Sequence, residues 1–151
     1  MLNRILVPLD GSSLAETALP YALQIVNDGG AITLMMVVDE IPTVVEDSPL
    51  FLDTKDDVVD PIHKEGALKH AEDYLARVVT TLNKSNLNIE TMALFGKPAE
   101  EIVDMAKNSP MDAIVMSTHG RTGLSRWILG SVTQKVISVT QCPVFVVPRT
   151  Q

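Results

Sequence analysis

The residues from Met116 to Ser131 combine small polar side chains and glycines in an order that suits an anion-binding site. An apolar run that ends at Met116 predicts a strand, and it stops abruptly at small polar residues and Gly120. Gly130 and Ser131 then begin a pattern typical of a helix. A glycine-bearing loop between a strand and a helix start offers backbone N–H groups and the positive end of the helix dipole. The stretch therefore predicts a site for the phosphates of a nucleotide.

A purely structural interpretation of the same residues stays open. Gly120 and Gly123 can simply turn the chain, and Gly130 can precede an ordinary helix cap. The pattern is neither the dinucleotide fingerprint nor the lysine-containing P-loop, and glycine-bearing loops between strands and helices are common. His119 either donates to a phosphate or packs beside the loop, and Arg121 pairs either with a phosphate or with surface carboxylates.

The start of the chain predicts a strand followed by one helix. Residues 5–9 form an apolar run typical of a strand that is buried on both faces. Residues 10–13 supply turn chemistry and a helix cap. Apolar residues at helical spacing predict a helix over residues 14–26, which Pro20 kinks rather than ends. Residues 27–30 are predicted to close that helix.

The later patterns continue the alternation of strands and helices. Strands are predicted over residues 31–38, 87–95, 113–116 and 143–147, with residues 87–95 near an edge of the sheet. Helices are predicted from residue 61 to about 84, from 98 to about 107 and from 131 to about 139. Residues 39–60 are acidic, contain prolines and predict a long surface loop.

This order predicts a Rossmann-like α/β fold. We expect a single domain over residues 1–151, with a five-stranded parallel sheet and helices on both faces. In such sheets ligands bind beyond the carboxyl ends of the strands, where the strand order reverses. The residues at those ends are 8–12, 37–39 and 117–123.

The composition favours a soluble cytoplasmic protein with no nucleic-acid or membrane partner. A net charge of −7 opposes binding to nucleic acid or to an anionic membrane. No apolar run reaches membrane-spanning length, and the N-terminus lacks the apolar core of a signal peptide. The only cysteine, Cys142, excludes an intrachain disulfide and fits a reducing compartment. His63 and His70 lie on one predicted helix without a third ligand, so no metal site is expected.

Three segments together resemble the universal stress protein family over essentially the whole chain. They are Pro8-Leu-Asp-Gly-Ser12, the stretch from Ser117 to Thr133, and Cys142-Pro-Val-Phe-Val-Val147. The ATP-binding members of that family carry G-x-x-G, nine residues and then G-[ST]. This chain has Ser117-Thr-His-Gly120, nine residues and then Gly130-Ser131, with Ser117 as the one departure.

The resemblance implies a role for each matching position. Pro8 and Asp10 would flank the adenosine, with Asp10 accepting hydrogen bonds from adenine or ribose, although Asp10 could instead cap the first helix. Val37 would offer backbone groups and an apolar wall to the adenine. The ribose and phosphates would be held by Ser117, Thr118, His119, Gly120, Arg121, Thr122 and Gly123, and the phosphates also by Gly130, Ser131, Val132 and Thr133.

The implied function is an ATP-binding regulatory module of the stress response, with slow ATP hydrolysis at most. No residue is identified as a base for the attacking water, so no catalytic residue is assigned. Mg²⁺ would arrive with the nucleotide. The family also implies a homodimer through the last strand, whose apolar residues 144–147 would otherwise form an uncovered edge.

Two alternatives to this function remain open. Ser117 in the place of a glycine favours a dimeric interaction or chaperone-like protein of the same fold that binds no nucleotide. An enzyme or signalling domain on a similar sheet is the other alternative, because one fold hosts many functions. A phosphate-accepting receiver would need a lysine on the last strand, and residues 144–147 contain none.

Overall fold

Strands and helices alternate along the chain, as the apolar patterns predict. The computed structural model of the protein describes residues 2–39, 61–118 and 129–148. The elements in chain order are β1 (Leu2–Leu9), α1 (Ser13–Glu16), α2 (Leu19–Ile25), β2 (Val26–Asp39), α3 (Pro61–Leu82), β3 (Asn88–Gly96), α4 (Pro98–Asn108), β4 (Ala113–Ser117), α5 (Ser131–Val139) and β5 (Val144–Val147).

The five strands form one parallel sheet in the order β3-β2-β1-β4-β5. The predicted α/β fold and the edge position of β3 are confirmed. Because β2 and β3 lie on one side of β1 while β4 and β5 lie on the other, the strand order reverses between β1 and β4. The paired register of these two strands covers Ile5 and Leu6, although the strands continue to Leu9 and Ser117. The sheet is therefore open at the carboxyl ends of β1 and β4.

Alternate side chains of the central strands pack against helices on opposite faces of the sheet. Ile5 and Val7 of β1 belong to a core cluster that also contains residues of α1, α2 and α3. Leu6 lies in a second cluster with Ile102 of α4 and Val136 of α5. Successive side chains of a strand point to opposite faces, so an apolar run without alternation fills both cores.

The prediction of one kinked helix over residues 14–26 is wrong. The chain instead forms α1 and α2, with Thr17 as the C-cap of the first and Pro20 in the first turn of the second. The Thr17 hydroxyl donates to the carbonyl of Leu14 at 2.6 Å, which helps to end α1. Proline has no backbone N–H, and the first turn of a helix is where that loss costs least. Pro20 therefore lies near the start of a second helix.

Residues 27–30 do not close a helix, so that prediction is wrong as well. The helix ends at Ile25, and β2 already begins at Val26. The pairing of β1 with β2 is irregular in this stretch, which indicates a bulge. Gly29 has a φ of +76°, and its N–H donates to the carbonyl of Asn86 at 3.1 Å. The turn-forming residues therefore lie within an irregular strand.

The other predicted elements agree with the structure to within a few residues. The loop predicted over residues 39–60 lies outside the described residues, except for Asp39, which ends β2. Within the described part of the chain, no helix combines the length and the apolar character needed to cross a membrane.

Candidate functional site

A cavity of about 360 Å³ lies at the carboxyl ends of β1, β2 and β4 and beside the first turns of α4 and α5. It occupies the position where the strand order reverses, which is where open parallel sheets bind ligands. Its volume is in the range of small-molecule sites. The lining residues are Pro8, Leu9, Asp10, Ala15, Met35, Val37, Asp39, Pro98, Ile102, Met116, Ser117, Gly130, Ser131, Val132 and Thr133.

Site residues predicted from three distant segments meet in this cavity. They are Pro8, Asp10, Val37, Ser117, Gly130, Ser131, Val132 and Thr133. Thr118 is not among the lining residues but directly follows Ser117, and its N–H donates to the carbonyl of Val147 at 3.0 Å. The predicted residues His119, Gly120, Arg121, Thr122 and Gly123 lie outside the described residues.

The end of β4 is tied directly to the start of α5. The N–H of Gly130 donates to the carbonyl of Thr118 at 2.6 Å. The hydroxyl of Thr133 donates to the carbonyl of Ser117 at 3.0 Å, and both side chains are buried, at 3% and 6% exposure. These two bonds hold residues 118 and 130 close together, although they are far apart in sequence. They also fix where the first turn of α5 meets the cavity.

The N-terminus of α5 has the chemistry of an anion site. Its N-cap is Gly130, which has no side chain to accept a hydrogen bond from the first turn. The first N–H groups of a helix have no partner within the helix, and the helix dipole is positive at this end. The start of α1 differs, because the hydroxyl of Ser12 accepts from the N–H of Ala15 at 3.1 Å. The start of α5 is therefore the better place for phosphate oxygens.

The turn after β1 holds the carboxylate of Asp10 at the cavity. Oδ1 of Asp10 accepts hydrogen bonds from the N–H of Ser12 at 2.9 Å and from its hydroxyl. Gly11 has a φ of +84°, a conformation that favours glycine. Ser12 is the N-cap of α1, so the helix-cap alternative for Asp10 does not hold. The Asp10 carboxylate lines the cavity, where it can accept hydrogen bonds.

Apolar side chains form the remaining wall of the cavity, and several of them were not predicted as site residues. Met35 and Met116, which were also not predicted, lie near the ends of β2 and β4 and line the cavity together with Val37. Pro98 and Ile102 of α4 also line the cavity and were not predicted as site residues. A usable signal was present, because α4 follows a strand directly and must begin at the carboxyl edge of a parallel sheet. This wall suits a flat, weakly polar group such as a purine base.

Ser117 occupies an ordinary strand position. It is the last residue of β4 and pairs with Val147 of β5. Among the described residues other than glycine, the only positive φ is that of Asn83. The position of Ser117 therefore does not require the conformational freedom of glycine. The substitution is compatible with the local backbone.

Charged side chains lie in the lining of the cavity and next to it, and we call Lys97, Glu100 and Lys135, which neighbour lining residues of α4 and α5, the rim. Asp10 and Asp39 line the cavity. Nearby, the ammonium group of Lys135 lies 3.1 Å from Oε1 of Glu100 in the first turn of α4, and that of Lys97 lies 3.7 Å from the same atom. The hydrogen bond from Lys135 is the main cause that lowers the pKa of Glu100. In the part of the chain that is described, no group of three or more His, Cys, Asp or Glu side chains could hold a metal ion.

Comparison with known proteins finds similarity over the whole described fold. The family model of the universal stress proteins matches residues 1–148. Universal stress protein MJ0531 of Methanocaldococcus jannaschii is 33% identical over 150 residues, which cover 99% of this chain and 84% of that protein.

Solved structures agree with this similarity. The structure of MJ0577, from the same organism, matches with a TM-score of 0.82 at 30% identity and covers 99% of this chain and 97% of that one. A universal stress protein family member from Arabidopsis thaliana, solved with AMP bound, has the same fold. Its TM-score is 0.64 at 16% identity, and the match covers 98% of this chain and 92% of that one.

Proposed function

This chain belongs to the universal stress protein family, and we propose that it is a cytoplasmic regulatory module that binds ATP. The adenosine would lie against Pro8, Asp10 and Val37, and the phosphates would lie at the start of α5. The domain would comprise all of residues 1–151. Binding, with slow hydrolysis at most, would be its activity.

One observation carries this proposal. The cavity brings an acceptor carboxylate, an apolar wall and an uncapped helix start together at the point where the strand order reverses. A nucleotide needs each of these: the carboxylate suits ribose or adenine N–H and O–H groups, the wall suits the base, and the helix start suits the phosphates. The AMP-bound Arabidopsis protein is an example of this fold with an adenine nucleotide.

We also propose that the ribose and phosphates are held by Thr118, His119, Gly120, Arg121, Thr122 and Gly123. These residues follow Ser117, and the carbonyl of Thr118 accepts from the N–H of Gly130 at the start of α5. Mg²⁺ would arrive bound to the phosphates, because this ion usually keeps waters and phosphate oxygens in its coordination shell.

Calorimetric titration with Mg-ATP tests the proposal. We expect the wild type to bind with a Kd below about 1 mM, which corresponds to about −4 kcal/mol. Gly130→Val places a side chain at the cavity, and the φ of −56° and ψ of 151° at this position are open to valine. We expect it to weaken binding by at least about tenfold, or about 1.4 kcal/mol. No binding of ATP, ADP or AMP to the wild type would refute the proposal.

Gly66→Val is the matched control. Gly66 lies in α3, and a Cβ built there has no neighbouring atom within 4 Å. This variant makes the same chemical change away from the cavity, so its affinity for Mg-ATP should equal that of the wild type. Release of inorganic phosphate from ATP, measured with the same samples, tests for hydrolysis. Extraction of the freshly purified protein for adenine nucleotide provides a second test of binding.

We also propose that the protein is a homodimer through β5. This strand is at an edge of the sheet and carries Phe145, which is 46% exposed. An apolar strand edge favours pairing with a second chain. If nucleotide binding fails while the dimer forms, the interaction protein that binds no nucleotide becomes the better description.

A further inference from the structure

The described lining of the cavity has little positive charge for a triphosphate. Among the described residues, its lining contains the carboxylates of Asp10 and Asp39 and no lysine or arginine. The start of a helix contributes only about half a positive charge. The chain as a whole has a net charge of −7. Besides the Mg²⁺ and Arg121 of the proposed function, cations at the rim of the cavity would therefore strengthen the binding of a ligand with several phosphates.

Two described lysines are placed to meet this need. Lys97 is the N-cap residue of α4 and directly precedes Pro98, which lines the cavity. Lys135 lies one turn after Ser131 in α5, and helical side chains lean toward the N-terminus of their helix. Glu100 of α4 holds the ammonium groups of Lys135 and Lys97 at 3.1 and 3.7 Å. Both positive charges are therefore held next to the first turn of α4, whose residue Pro98 lines the cavity.

We infer that Lys97 and Lys135 determine how strongly this site prefers nucleotides with more than one phosphate. In the same inference, Glu100 holds the two ammonium groups at the rim and gives them up to the β- and γ-phosphates of a bound ligand. The inference rests on the proposed function, because it concerns the phosphate end of the same cavity.

Little free energy is lost when the two lysines leave Glu100 for a phosphate. All three side chains are about half-exposed or more, and ion pairs at such positions contribute little to stability. A lysine bonded to a phosphate makes a charge-assisted hydrogen bond to a group with more negative charge than a carboxylate. The lysines also lower the pKa of Glu100, so this carboxylate is ionised at neutral pH and competes with the phosphates.

The test compares the affinities for Mg-ATP and AMP in three variants. Lys135→Ala and Lys97→Ala should each weaken ATP binding by about five- to tenfold and AMP binding by less than about twofold. Glu100→Gln keeps the size of the side chain and removes the competing charge, so it should strengthen ATP binding by about twofold. If Glu100 served only to brace α4 against α5, its loss would weaken binding as the lysine changes do. The opposite signs distinguish the two roles.

Lys69→Ala is the control for a general loss of positive charge. Lys69 is an exposed lysine on α3 whose ammonium group lies 3.2 Å from Asp73. This variant should leave the ratio of ATP to AMP affinity unchanged. If the wild type binds both nucleotides and the lysine variants lower both affinities equally, or not at all, the inference is refuted while the proposed function stands. If the wild type binds neither nucleotide, both are refuted.

Discussion

Replacing Thr133 with valine tests whether one buried hydroxyl fixes the start of α5 at the end of β4. The Thr133 side chain is 3% exposed, and its hydroxyl donates to the carbonyl of Ser117 at 3.0 Å. Valine keeps the branched shape, so the main change is the loss of this donor. A lost buried hydrogen bond costs about 1–3 kcal/mol, and the added methyl offsets part of it. We expect the free energy of unfolding to fall by about 1–2 kcal/mol, with Tm lower by about 2–4 °C per kcal/mol.

Urea unfolding measures the loss of stability, and titration with Mg-ATP measures its effect on the site. We expect ATP affinity to fall as well, because the first turn of α5 is then less well fixed. Thr80→Val is the matched control: the Thr80 hydroxyl donates to the carbonyl of Ala76 at 3.0 Å on an exposed helix surface, and its loss should cost no more than about 0.5 kcal/mol. Thr133→Ser retains the donor and should lie between valine and the wild type. Equal stabilities of the Thr133→Val and Thr80→Val variants would show that the hydroxyl does not anchor α5.

Three further predictions concern pH and assembly. The Asp112 carboxylate accepts from two backbone N–H groups at the start of β1, which lowers its pKa; Asp112→Ala should lower Tm at pH 7, and the difference should shrink as the pH falls below about 4. Burial, and then the hydrogen bond to Glu16, raises the pKa of Tyr74. Above about pH 10 the Tyr74 hydroxyl therefore ionises in the unfolded chain but not in the folded one, which favours unfolding. In urea unfolding, the free energy of unfolding should fall as the pH rises above about 10, and it should fall less steeply in Tyr74→Phe. Phe145→Lys should convert a dimer into a monomer in light scattering, whereas Met92→Lys on the opposite edge strand, where Met92 is 38% exposed, should not.

The sequence predicts the sheet and the position of the cavity because both depend on local patterns. Runs such as residues 31–38 and 113–116 can be identified as strands from composition alone. Their alternation with helices requires parallel strands, and parallel strands bring Pro8, Val37 and Ser117 to one edge. The strand order itself is a property of the folded chain. The structure supplies it, together with the short register between β1 and β4 that opens the cavity.

The errors have a common physical origin. Pro20 is compatible with a kink or with a new helix start, and the choice depends on how α1 and α2 pack on the sheet. Residues 27–30 have turn chemistry, but the flanking Val26 and Ala31 both pair with β1, and the N–H of Gly29 donates to the carbonyl of Asn86, so the stretch is an irregular part of β2. Pro98 and Ile102 reach the cavity only because α4 lies beside the carboxyl end of β2. In each case the local sequence is compatible with more than one conformation, and a contact with a distant segment determines which one forms.

The charges that we propose to act on a phosphate ligand escape a motif search. A motif records residues consecutive in the chain, such as those around Gly130, whose backbone groups do not depend on side-chain identity. Lys135 and Glu100 are 35 residues apart and meet only because α4 and α5 pack on the same face of the sheet. Two proteins with the same glycine pattern can therefore differ in charge at the rim of the cavity. The ratio of their affinities for ATP and AMP should depend on the charge at the rim, and the Lys135→Ala and Glu100→Gln variants measure that dependence directly.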